Sequence, residues 1–208
     1  MNFINYEVSF LLQSVLITIP GLLTPGPVMA ITIERGTRSP HAGAFVTAGH
    51  FIVELPFVVL LYFGLGRFAK EPAVRFILGF TGGIFLIYLA WKTFRNRRMV
   101  SAPGSKIASS AFTAGMVMTL ANPFLLLWWG TVGSSLLIRS MEFGPMVTIL
   151  FYVLHISMNF IWLYLLSFLS YKGYTILGSG YRFAVAIICG VLLSGFGIYF
   201  VVTAFRIA

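Results

Sequence analysis

The chain has 208 residues, 59% of them hydrophobic and 9% charged, with a mean hydropathy of +0.95; a soluble domain carries about 25% charged residues. All five acidic residues are Glu, and 14 Lys and Arg bring the net charge to +9. That balance marks an integral membrane protein whose cations face headgroups rather than nucleic acid, and the single Cys189 excludes an internal disulfide, a dithiol relay and the multi-Cys zinc patterns.

Apolar stretches of the roughly 20 residues that a span needs fall at 8–33, 42–65, 73–92, 111–138, 145–169 and 181–205. Their apolar runs are continuous, so helices are expected rather than the alternating strands of a lipid-facing barrel. The leading MNFINYEVSF has no Lys or Arg and so lacks the basic n-region of a signal peptide.

The first span is interrupted by Leu23-Thr24-Pro25-Gly26-Pro27-Val28. An interior proline costs a helix about 3 kcal/mol. Threonine is a good N-cap, and proline is favoured at the first helical position. Thr24-Pro25 therefore reads as the start of a new half-helix, with Pro27 still in its first turn and Gly26 admitting another backbone or a substrate. The positive end and open N–H groups of such a half-helix suit a carboxylate. A plain kink, re-satisfied by neighbouring helices, is the alternative. The span ends at Glu34-Arg35-x-x-Arg38, suited to headgroup and topology roles or to an intracellular gate.

In the second span Glu54 sits near the centre, with His50 four residues earlier on the same face. A carboxylate at that depth costs several kcal/mol unless paired, protonated or hydrated. It reads as a proton carrier or a counter-ion for a substrate cation; a structural hydrogen bond is the alternative. In the third span Gly79 and Gly83 have the GxxxG spacing of close helix packing or of a homodimer face.

A basic loop, 94–110, straddles the midpoint and separates half 1 (1–98) from half 2 (111–208) of a single transmembrane domain, 1–208. The fourth span then repeats the cap-plus-proline break at Ala121-Asn122-Pro123, in the position matching the first break. Its Trp128 and Trp129, with Trp162 further on, read as lipid-facing or core. In the fifth span His155 and Asn159 are again four apart and would mirror His50 and Glu54, or make interhelical packing hydrogen bonds.

The fold expected is all-α: six transmembrane helices in a 3+3 inverted-repeat-like arrangement, with broken helices in spans 1 and 4. Counting Lys and Arg by loop gives nine on one side (35, 38, 92, 95, 97, 98, 106, 172, 182) and five on the other (67, 70, 75, 139, 206). Both termini are therefore expected outside.

These residues carry a resemblance. The stretch TPGPVMAITIERGTRSPHAGAFVTAGHFIVELP resembles the first motif of LysE-type amino-acid exporters, the group that includes the RhtB homoserine/threonine exporters, with matches at Pro25, Gly26, Pro27, Gly36, Ala42, Gly43, Gly49 and Glu54. Residues 81–95 resemble that family's third span, and Leu120-Ala121-Asn122-Pro123-Phe124 its second signature. Two departures stand out: Val28 replaces the usual Asp or Asn after proline-glycine-proline, and Glu54 replaces a frequent Asp. The resemblance implies export of amino acids across a cytoplasmic membrane, driven by inward protons, with no cofactor and no enzymatic activity.

A small-molecule amino-acid substrate, protons and membrane lipid are then the expected partners, with a homodimer as a further one and nucleic acid not expected. Thr24, Pro25, Gly26, Pro27, Glu54, Asn122 and Pro123 are the expected binding or coupling residues, and His50, His155, Asn159, Glu34 and Arg35 further candidates. No resident metal is expected. The rival function is export of a divalent or transition-metal cation, which would need His50, Glu54 and His155 to converge.

Overall fold

In a computed structural model the described residues, 3–23, 26–64, 72–95 and 106–207, form helices joined by short connections, with no strand among them. In chain order these are α1 (Phe3–Leu23), α2 (Pro27–Gly36), α3 (Ala42–Tyr62), α4 (Pro72–Arg95), α5 (Lys106–Leu120), α6 (Pro123–Gly130), α7 (Val132–Glu142) and α8 (Pro145–Ile207). Four described segments are long and apolar enough to cross a membrane: Asn5–Leu23, Ala42–Tyr62, Pro145–Tyr181 and Phe183–Arg206. Large apolar side chains such as Leu12, Leu16, Ile52, Ile161 and Phe205 point outward, while Glu54, His50, His155 and Thr119 are buried. This inversion of the soluble pattern fits a bundle solvated by lipid.

Both expected breaks are present. The first restarts later than its sequence suggests: α2 begins at Pro27, with Gly26 as the extended N-cap (φ −156°, ψ 176°), not at Thr24-Pro25. A proline disfavours helical backbone in the residue before it, so Gly26 stays extended ahead of Pro27. Thr24 and Pro25 lie outside the described residues. The second break follows its sequence: Asn122 caps α6, its side chain accepting from the Phe124 N–H at 3.1 Å, and Pro123 opens the helix. Loss of that acceptor in Asn122→Ala should cost about 1 kcal/mol, checked by thermal unfolding in detergent. The fourth expected span is thus three short helices, α5 to α7, rather than two half-helices.

The link expected between the fifth and sixth spans is a corner, not a loop. Helical geometry runs on past residue 169 and is lost at Gly178 (φ 69°, ψ −150°), a conformation that favours glycine. Polar residues alone do not stop a helix, and Lys172 stays on it with its ammonium over the Phe168 ring. The basic loop between α4 and α5, residues 96–105, lies outside the described residues.

Several small residues let backbones meet. A methyl group on Gly49 of α3 would run into the Phe112 carbonyl of α5, and one on Gly115 of α5 into the Val46 carbonyl of α3. Gly83 lies against the Gly197 carbonyl within the same chain, so that part of the GxxxG pattern packs α4 on the second leg of α8. Apolar clusters fill the remaining space. One includes Leu86, Met118, Cys189 and Leu193; another includes Phe10, Val58, Trp129 and Phe151.

Candidate functional site

The α3–α5 crossing places the turn after Gly49 against the turn after Gly115. His50 Nδ1 thereby comes within 2.8 Å of Thr119 Oγ1. One turn further along α3, Glu54 is 1% exposed and surrounded by donors. Its Oε1 lies 2.9 Å from Trp129 Nε1, 3.2 Å from His155 Nε2 and 3.4 Å from His50 Nε2. Among the described residues Oε2 has one long contact, 3.5 Å to the Tyr152 hydroxyl, and so keeps acceptor capacity.

Tyr152, His155 and Asn159 recur at helical spacing along one face of α8. Asn159 Nδ2 donates to the His155 carbonyl at 3.0 Å and lies 3.3 Å from His155 Nε2. The His155 ring is near-parallel to those of Trp128 and Tyr152 and edge-on to Trp129. Its Nδ1, and the Trp162 Nε1, are buried with no hydrogen-bond partner among the described residues.

These groups border a cavity of about 390 Å³, within the range of small-ligand sites. Gly26, Val28 and Met29 from the start of α2 reach it, as do Asn122, Phe124 and Leu125 from the start of α6; Glu54, His50, His155 and Asn159 add polar side chains to it. Helix geometry leaves the Val28 and Met29 N–H groups without intrahelical acceptors, since the first such bond is Ala30 N–H to the Gly26 carbonyl. The rest of the lining is Thr18 and Thr131 with apolar and aromatic residues, Leu22, Leu163, Trp128 and Trp162 among them.

The structure therefore brings together Gly26, His50, Glu54, Asn122, His155 and Asn159. Pro27 is buried in the first turn of α2, and Pro123 begins α6. Glu34 and Arg35 are elsewhere: Glu34 pairs with Arg38 at 2.9 Å and Arg35 at 3.2 Å beside a second cavity of about 230 Å³. Sequence reasoning missed Thr119, Tyr152 and the indole of Trp129. Trp129 is in the core, as one of its two readings had it, yet it is also the closest partner of Glu54. The signal for it was physical: a buried indole N–H seeks an acceptor, and the second span offers a carboxylate. His50, Glu54 and His155 converge at hydrogen-bond spacing around one oxygen. Among the described residues no group of three or more His, Cys, Asp or Glu is placed to hold a metal ion.

A cavity with a polar patch, bordered by two helix starts inside a multi-pass bundle with an apolar exterior, suits a membrane transporter. The family model for the LysE type translocator matches residues 19–204, and the chain belongs to that family. It is 27% identical over 181 residues to a Bacillus subtilis (strain 168) protein named "Putative amino acid efflux protein YcgF", covering 84% of this chain and 87% of that one. No solved structure matches the chain.

Proposed function

We propose that the protein is a secondary transporter that exports amino acids across the cytoplasmic membrane against inward protons. One observation carries this: the starts of α2 and α6 open onto the same cavity as Glu54. A zwitterion needs both ends matched. The amides at the start of α2 suit its carboxylate, and the Glu54 carboxylate suits its ammonium group. The amino-acid efflux name of the Bacillus relative supports the same substrate class.

In this reading the chain crosses the membrane six times, with α1–α2 and α5–α7 as the broken members of two inverted halves and both termini outside. Alternating access then works around the fixed cavity. Most of the cavity lining is apolar, and Val28, where relatives of this kind usually carry Asp or Asn, is part of that apolar wall.

The test is efflux from proteoliposomes loaded with labelled amino acids under a pH gradient. Leucine, methionine and phenylalanine should leave faster than lysine or glutamate, whose charged side chains would be buried without a partner. Equal rates for all would remove the role assigned to the apolar wall. No amino-acid flux from a folded protein, with divalent metals moving instead, would replace the substrate by a cation.

A further inference from the structure

The contacts of His50 determine where its hydrogens sit. Thr119 Oγ1 lies 2.7 Å from the Gly115 carbonyl, one turn earlier on α5, and 2.8 Å from His50 Nδ1. A hydroxyl has one hydrogen to donate, and a carbonyl only accepts. Thr119 therefore donates to Gly115 and accepts from His50, so His50 Nδ1 carries a hydrogen. When His50 is neutral, its lone pair is then on Nε2, which faces Glu54 Oε1 at 3.4 Å. Two lone pairs would confront each other there unless one further proton lies on one of these atoms. Trp129 cannot supply it, since its single N–H already points at Oε1.

We infer that His50, Glu54 and Thr119 form a one-cation site beside the cavity, holding either an exchangeable proton between Nε2 and Oε1 or, in its place, the ammonium group of a substrate. Thr119 is the positioning residue. Without it, a neutral His50 could move its hydrogen from Nδ1 to Nε2 and donate to the carboxylate, and the contact would be complete with no added proton. With it, the contact is complete only when a cation is present. An ammonium group has three donors and no lone pair, so it satisfies the same two acceptors. Proton and substrate then compete for one place, which is the elementary requirement of exchange. The inference rests on the export reading above.

The other groups around the pair do not duplicate this. On α8, His155 and Tyr152 face Glu54, but the His155 tautomer is not pinned as that of His50 is, because its Nδ1 has no partner among the described residues and its Nε2 lies near both the Glu54 carboxylate, which accepts, and the Asn159 amide nitrogen, which donates. A neutral His155 can donate from Nε2. From α6 the non-titrating Trp129 reaches the carboxylate, and α1 contributes uncharged Thr18 to the cavity.

With three histidines in the chain, nitrogen NMR of histidine-labelled protein in nanodiscs reads the tautomer directly, after assignment by His41→Gln and His155→Gln. At alkaline pH the wild type should show His50 with a hydrogen on Nδ1 and a bare Nε2. Thr119→Val should move that hydrogen to Nε2 and remove the pH dependence of efflux, and Thr119→Ser should restore both. A mixture of the twenty amino acids should release protons from wild type in weakly buffered solution and none from Thr119→Val.

A wild-type His50 with a bare Nδ1 overturns the proposal even if Thr119→Val does not fold. So does transport of the mixture without proton release, or a Thr119→Val efflux profile that keeps the wild-type pH dependence. If the Nδ1 hydrogen is found and pinned by Thr119 but no amino acid is transported or releases a proton, the export reading falls and the proton site stands.

Discussion

Glu54→Gln should abolish gradient-driven efflux and leave the fold intact. Glutamine has nearly the same shape and keeps a carbonyl oxygen for the Trp129 N–H, now 2.9 Å from Glu54 Oε1. It loses the charge that faces two imidazoles, and it cannot accept a proton or pair with an ammonium group. Glu54→Leu goes further. It leaves the Trp129 indole and both imidazoles facing hydrocarbon, and removing one partner of a buried charged cluster costs about 3–5 kcal/mol. The pair of variants separates the two roles. Efflux measured in proteoliposomes should vanish in both, while unfolding, followed by a thiol-reactive fluorophore on buried Cys189, should be shifted strongly only in Glu54→Leu. Wild-type efflux from Glu54→Gln would reduce Glu54 to an acceptor for Trp129.

Gly49→Ala and Gly115→Ala should each destabilise the bundle by about 1–3 kcal/mol, the range of overpacked cores. The added methyl meets backbone rather than a flexible side chain: the Phe112 carbonyl and Met116 nitrogen in the first case, Val46 in the second. No rotamer change can make room, so α3 and α5 must separate. The double variant should cost less than the sum of the two, because a gap opened by one methyl admits the other. Additive losses in thermal unfolding would mean that the two contacts yield independently.

Helix type and the breaks at 24–27 and 121–123 were legible because long apolar runs, prolines and cap residues act locally. The pairing of His50 with Glu54 was legible for the same reason, through the four-residue repeat of a helix. His155 and Asn159 could be placed on one face of their helix, yet their convergence on Glu54 depends on how α8 packs against α3, which no local pattern encodes. Thr119 was invisible: nothing near it in sequence marks it, and its role arises only where two glycines let the helices touch. The corner at Gly178 was missed because polar residues around 170–180 suggested a loop, whereas a helix can carry such residues into the headgroup layer. Gly26 rather than Thr24 caps α2 because the second proline, Pro27, governs its own predecessor.

The glycine-to-carbonyl crossing of α3 and α5 has a mechanical consequence. Where side chains separate two helices, a shift of one is partly absorbed by rotamers of the other. Where backbone rests on backbone, there is no such slack, and a displacement is passed on undiminished. His50 rides on one of these helices and Thr119 on the other, so the two form a rigid truss whose internal distance survives motion of the surrounding bundle. Any rearrangement that opens the cavity to one side or the other must then take place at its other walls.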